Sequence, residues 1–323
     1  MTPSIARRHA VTVPVLGIAT RFESDAPQVT EIVEEAFGVW RALAPDDEAG
    51  DARDPVRIRI VVADRAGEGE DTAAPIRHSM SDDLRFVARS KHRIAVSDPA
   101  RRRAVVCVSA ALVADHVRFR TDVLEAVVLA LLSCYDRHPV HAAAVAHRGH
   151  ALLLAAPSGT GKSTLAYACH AEGLDLLGDD HVRVQLAPSV RIWGWPARVR
   201  LFAETAARMG APHEAPHALD PKGKAVVDAR AGITASRLVA RGATVCLLSR
   251  DGGPLALEPI TSADAARALE AQLAPGFDRF PARWPAVVRA LTARGGWRLN
   301  LTPDPHEGVR AVRELLSRDQ QRA

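Results

Sequence analysis

Aromatic residues are scarce. Phe, Trp and Tyr make up 4% of the 323 residues. That excludes an extended base-stacking platform, which needs exposed rings, and leaves Ala, Val and Leu to build the core. Neither sign of charge dominates, since 42 Lys and Arg stand against 38 Asp and Glu, a formal net charge of +4. So small a surplus on so long a chain excludes nucleic acid and an anionic membrane as expected partners. The four cysteines, Cys107, Cys134, Cys169 and Cys246, are far apart and form no C-x-x-C pair for zinc or redox chemistry. Each lies in an apolar stretch, where a thiol packs as a small hydrophobe, and a reducing cytoplasm fits this usage. The opening MTPSIARRHAVTVPVLGIATRF is basic but lacks the apolar core and cleavage site of a secretory leader. No window supplies the ~20 apolar residues of a membrane span. The longest apolar helix candidate, Val123 to Cys134, is a core helix by its length.

What is present belongs to an ordinary globular protein, with 47% hydrophobic and 25% charged residues. The length predicts two domains at roughly 100–200 residues each. A boundary near Asp136–Pro139 separates an N-terminal α/β accessory or substrate-recognition domain, 1–136, from a second domain, 137–318. In the first, Gly17 to Phe22 reads as a strand. Val29, Ile32, Val33, Ala36, Phe37 and Trp40 recur at helical spacing, with Asp25 as N-cap and Gln28 completing a capping box. Val56, Ile58, Ile60 and Val62 alternate as a strand does. Residues 45–54 and 64–83 read as loops, and Leu84–Ala88, His92–Val96 and Ala104–Val108 as consecutive strands. Two helices follow, broken near Arg118–Thr121, the second ending by Tyr135. In the second domain, Val140–Ala146 and Ala151–Ala155 flank a hairpin turn at residues 147–150. Val245–Leu248 is a buried strand turning at Asp251-Gly252-Gly253. Helices are expected near 262–273, 283–293 and 305–317, with a strand at Trp297–Leu301.

The strongest motif is Ala156-Pro157-Ser158-Gly159-Thr160-Gly161-Lys162-Ser163-Thr164, a phosphate-binding loop with Ala156 where the general pattern has its first glycine. Leu152–Leu154 form the strand before it and Thr164–Glu172 the helix after it. Gly159 and Gly161 let the backbone turn its N–H groups onto phosphate oxygens. The helix aims its positive end at the anion. Lys162 neutralises charge on the terminal phosphates, and the Ser163 hydroxyl is a hard ligand for Mg²⁺. Such a loop implies ATP and magnesium but no particular reaction. Gly178-Asp179-Asp180-His181 follows the next short strand, Leu174–Leu177. Two carboxylates there divide two tasks, one on the metal and one accepting a proton from an attacking hydroxyl.

The stretch PVHAAAVAHRGHALLLAAPSGTGKSTLAYACHAEGLDLLGDDHVRV resembles the catalytic core of HPr kinase/phosphorylase and related serine kinases, which are similar in their phosphate site to phosphoenolpyruvate carboxykinase. The matching pieces are His141, the S-G-x-G-K-S loop at Ser158–Ser163 and the Asp179-Asp180 pair. Lys162 lies 21 residues after His141 and 17 before Asp179. The resemblance implies a kinase domain with a mixed sheet, in which Lys162 and Ser163 hold the triphosphate and Mg²⁺. It makes Asp179 the catalytic base and Asp180 a metal or loop partner, and puts His141 close to both. The downstream glycine-rich signature R-G-x-G-x-I-N of HPr kinases is absent, so the resemblance carries neither HPr as substrate nor the reverse phosphorylase reaction. It points to a peptide, protein or small-molecule hydroxyl as acceptor, including a serine of a lasso-type peptide. HPr kinases form hexamers, so a homo-oligomer is an expectation of the same kind.

Other features carry two readings. Lys222-Gly223-Lys224 is either a loop closing over phosphate or a solvated turn. Trp193 and Trp195, with Arg198 and Arg200, either line an acceptor pocket or pack as core. Arg101–Arg103 is either an anion contact or a solvated strand entry. The H-x-x-H pairs His138/His141 and His147/His150 lack further ligands for zinc.

Overall fold

The computed structural model describes residues 9–43, 54–63, 77–81, 84–90, 93–195, 198–211, 224–229, 233–272 and 281–320. The chain is mixed α/β and divides into two compact units, Met1–Tyr135 and Asp136–Ala323. No helix among the described residues is long and apolar enough to cross a membrane.

The first unit is built on strands β1 (His9–Val15), β2 (Ile18–Ser24), β3 (Val56–Ala63), β4 (Arg77–Ser81), β5 (Leu84–Ser90), β6 (Arg93–Asp98) and β7 (Arg103–Ser109). They form one sheet in the order β1-β2-β3-β7-β6-β5-β4, with β2, β3 and β7 parallel and the other pairs antiparallel. β1 and β4 were not expected from the sequence. β1 is joined to β2 by a turn in which both Leu16 and Gly17 have positive φ. β4, inside the stretch read as a loop, is a polar edge strand, the composition that sheet edges favour because one side stays unpaired.

Helix α1 (Pro27–Phe37) buries Val29, Ile32, Val33, Ala36 and Phe37, while Trp40 packs from the 3₁₀ turn that follows. Its cap differs from expectation. Pro27 starts the helix, so Ala26 is the N-cap, and the Asp25 carboxylate accepts instead from the Val62 N–H at 3.2 Å. The later helical segment breaks at Asp115, between α2 (Ala110–Ala114) and α3 (His116–Phe119), and not near 118–121. There the chain runs on through a π-helical turn, Arg120–Glu125, into α4 (Ala126–Leu132). Arg120 is buried in that turn, donating to Glu35 at 2.7 Å and to Glu125 at 3.1 Å. Arg101 pairs with Asp98, and Arg102 donates to the Asp54 carbonyl, so that run of cations is a strand entry.

The second unit holds β8 (His138–Val140), β9 (Ala143–His147), β10 (His150–Ala155), α5 (Lys162–Ala171), β11 (Asp175–Gly178), β12 (Val182–Gln185) and β13 (Arg191–Trp193). Beyond these come β14 (Arg198–Phe202), α6 (Ala203–Arg208), β15 (Lys224–Asp228), β16 (Val239–Ala240), β17 (Ala243–Ser249) and β18 (Ala256–Ile260). The chain ends with α7 (Ser262–Ala271), α8 (Trp284–Thr292), β19 (Gly296–Asn300) and α9 (Pro305–Gln320). The main sheet has the order β11-β9-β10-β17-β19-β18, beside a four-stranded sheet β16-β13-β12-β8 and a ribbon of β14 and β15. β10 is apolar on both faces, as a covered central strand must be. Leu152 and Leu154 face a cluster with α5, α9 and the ribbon, while Ala151, Leu153 and Ala155 face one with α8 and the second sheet.

That topology sets the site. β10, β17 and β19 are parallel, and β9 runs against both β10 and β11. The C-terminal ends of β10, β11, β17 and β19 therefore share one edge with the N-terminal end of β9. Open α/β sheets bind ligands beyond that edge.

Candidate active site

Beyond that edge lies a cavity of about 690 Å³. Ser158, Gly159, Gly161, Lys162, Ser163 and Thr164 line it from the loop between β10 and α5. Gly159 has φ +89° and Gly161 φ +117°, the left-handed conformation that the glycines supply. Ala156 does not share it, so the methyl in place of the first glycine brings no backbone strain. Thr160 ties the loop, its hydroxyl donating to the Pro157 carbonyl at 3.0 Å. The buried Lys162 ammonium curls back, donating to the Ala156 carbonyl at 2.5 Å and the Pro157 carbonyl at 3.2 Å. Burial lowers its pKa, the nearby Asp180 charge opposes this, and Lys224 adds to it.

From the other strands come His141, just before β9, and Asp179, Asp180 and His181, just after β11. Asp179 is 6% exposed, and its Oδ2 accepts from the Arg200 backbone N–H at 3.0 Å. Burial raises its pKa, the Arg200 N–H pulls the other way, and the neighbouring Asp180 charge reinforces the rise. Asp180 is the opposite case. Burial pushes it up, but His141 at 2.9 Å and His181 at 3.0 Å carry it well below the usual carboxylate range. Two adjacent carboxylates are thus split into one that holds a proton more readily and one that stays ionised.

Gly178 makes this turn. A Cβ there would meet the His181 carbonyl oxygen at 2.6 Å. Gly178→Ala should therefore shift Asp179 and Asp180 off the loop and cost about 1–3 kcal/mol of stability. A thermal melt checks this, and unchanged melting would show that the turn yields freely.

Sequence reasoning missed Phe202 from β14, Arg208 from α6 and Arg250 from the end of β17, whereas Arg200 on β14 and Lys224 on β15, each open to two readings in the sequence, both line the cavity. Lys224 stands over the Phe202 ring, 5.1 Å from its centroid. Lys222 and Gly223 fall outside the described residues. The two tryptophans are not among the cavity-lining residues. Trp193 is fully buried, donates to Gln185 at 2.9 Å and packs under Arg137. Asp251, which follows an apolar strand in a way that mimics a metal-binding acid, accepts instead from Gly253 and Asn300. The histidine pairs point to separate partners: His138 to Asp136, His141 to Asp180 and His150 to Thr244.

Ser163 and the two carboxylates line one cavity with hard oxygen donors, which suit magnesium. Among the described residues no group of three or more His, Cys, Asp or Glu converges on a metal position. Magnesium habitually keeps one or two carboxylates and takes its other ligands from water and phosphate, so the donor set fits it.

No protein-family model and no curated protein sequence matches the chain. In fold it is similar to a solved HPr(Ser) kinase/phosphatase from Coxiella burnetii. The identity is 12% and the TM-score 0.31, over 57% of this chain and 97% of that one.

Proposed function

We propose that the second unit is an ATP-dependent kinase that moves the γ-phosphoryl group onto a hydroxyl, most simply a serine of a peptide or protein, lasso-type peptides among them. The observation that carries the reading is Asp179, a buried carboxylate of raised proton affinity in the same cavity as the Lys162 loop. The Gly159–Ser163 backbone and Lys162 bind the phosphates. Ser163 and Asp180 would hold magnesium, which when bound supplies positive charge to the phosphate oxygens.

Asp179 accepts the acceptor's proton as the hydroxyl oxygen bonds to the γ-phosphorus. The bond from that phosphorus to the β–γ bridging oxygen breaks, and ADP leaves with the electron pair. Lys162 and Arg200, both lining the cavity, meet the charge that shifts during transfer. His141 and His181 hold Asp180 ionised and fix its direction.

Labelled ATP incubated with the protein and serine peptides, or with a metabolite extract, tests the reading. Phosphopeptide is the expected product. Label on a metabolite alone would replace the peptide by a small alcohol, and nucleotide binding without any product would remove catalysis.

The pH profile is a further expected result. Only deprotonated Asp179 can accept a proton, and its pKa is raised. kcat/KM should therefore fall with decreasing pH at a point above the usual carboxylate value of about 3.9. A rate flat down to that value would exclude Asp179 as the base.

A further inference from the structure

The cavity has two ends, and the strand order separates them. The 156–163 loop leaves β10. On one side β9 and β11 bring His141, Asp179 and Asp180, and on the other stand β17 and β19. A triphosphate lying in the loop with its γ-phosphate toward Asp179 must point its nucleoside end toward β17 and β19.

Arg250 stands there, at the end of β17. Its Nη2 lies 3.4 Å from where a Cβ on Gly161 would be, and the Leu301 side chain comes to 3.5 Å of the same point. Pro303, between β19 and α9, and Pro305, the first residue of α9, complete the wall. Arg250 is exposed, and no hydrogen bond or ion pair to a described residue engages its side chain. The neighbouring Asp251 is turned to other partners, its Oδ1 accepting from the Gly253 N–H at 2.8 Å and from Asn300 Nδ2 at 2.6 Å. The cavity's exposed aromatic, Phe202, belongs to the other end. It carries Lys224 over its ring and shares a strand with Arg200, whose N–H holds Asp179.

We propose that Arg250 is the nucleoside-binding residue of the site, its planar guanidinium stacking on the base while Pro303 and Pro305 form the apolar wall. The proposal rests on the nucleotide reading given above. A guanidinium suits the task because it is planar, weakly hydrated and attracted to a π face, whereas an ammonium is a hydrated point charge.

The test is titration calorimetry on the full chain with Mg-ATP, Mg-ADP and Mg-tripolyphosphate. Arg250→Ala should weaken ATP and ADP about tenfold and leave tripolyphosphate within about twofold, because that ligand has no base to stack. Arg250→Lys keeps the charge but loses the plane, so it should behave like the alanine variant. If tripolyphosphate weakens as much as ATP and Lys restores both, Arg250 is a phosphate ligand and the proposal falls. If ATP affinity does not move in either variant, it falls as well. A wild-type chain that binds neither ATP nor tripolyphosphate would overturn the nucleotide reading itself. One that binds tripolyphosphate but gains nothing from the nucleoside would overturn only the role of Arg250.

Discussion

Asp179→Asn should lower phosphoryl transfer by about 10²–10⁴-fold, the usual worth of a positioned base, while nucleotide affinity stays within a few-fold of the wild type. The replacement is nearly isosteric. Its amide oxygen can still accept from the Arg200 N–H, so the turn should keep its shape. The fold should gain stability. Burial raises the native pKa of Asp179, so the folded chain holds that proton to a higher pH than the unfolded chain does. Stability is therefore lost as pH rises through the native value. Asparagine has no charge to bury and escapes that loss, so above this pH the variant should melt higher than the wild type. Asp180 works in the other sense. Its pKa is depressed by the two histidines, and its contribution disappears only as acid protonates it. A slower but more stable Asp179→Asn enzyme is the combination expected of a site that holds an unfavourable buried charge for catalysis. An Asn variant that transfers at the wild-type rate would end the base assignment. One that melts lower would show that Asp179 is a structural acceptor first.

The parts of the site legible in the sequence are those made by neighbours along the chain. The glycines, Lys162 and Ser163 sit in one strand–loop–helix unit, and their spacing alone dictates how the backbone wraps. Asp179 was legible because β11 follows α5 directly. The parts that were not legible come from far away in sequence. Arg250 closes a strand read only as core, and its role depends on β17 lying next to β10. Phe202 and Arg208 reach the cavity from β14 and α6, whose pattern resembles that of any short surface segment, while the ribbon's Arg200 and Lys224 were open to two readings that only the pairing of β14 with β15 decides. In the first unit, α1 shows its apolar stripe plainly, but its cap was misread by one residue, because Pro27 outweighs the Asp25–Gln28 pattern. β1 and β4, the two edge strands, escaped notice for different reasons: β1 alternates Val11, Val13 and Val15 but carries Pro14 inside the run, and β4 reads RHSMS, with no apolar alternation at all. In the π-helical turn at 120–125, Arg120 pairs with Glu125 of the turn and with Glu35 on α1, and the second partner lies too far away in sequence for local spacing to reveal.

Lys162→Met should affect both binding and transfer, the opposite of the selective loss at Asp179. The Lys162 ammonium lies in the floor of the loop, anchored by the Ala156 and Pro157 carbonyls. That anchoring points its positive charge at whatever the loop encloses. Hydrogen bonds to charged groups are worth about 1.5–3 kcal/mol each, so ATP affinity should fall by roughly 10–100-fold. Transfer should fall further, because charge moves onto the bridging oxygen as the phosphoryl group departs and an aimed cation stabilises that charge more than the ground state. Methionine keeps the apolar stem, so packing around α5 should hold. The Ala156 and Pro157 carbonyls lose their shared donor, so melting should fall by the modest amount that a lost hydrogen bond costs. Lys162→Arg should not rescue the loss, since a planar fork cannot sit between two carbonyls arranged for a tetrahedral ammonium. Calorimetry with ATP and a single-turnover transfer assay on the same preparations decide the matter. Weak binding with weak transfer at Lys162, beside normal binding with weak transfer at Asp179, is what a phosphate clamp and a separate base require. If Lys162→Met binds ATP as the wild type does, the loop does not enclose phosphate, and the carboxylates beyond β11 face some other ligand.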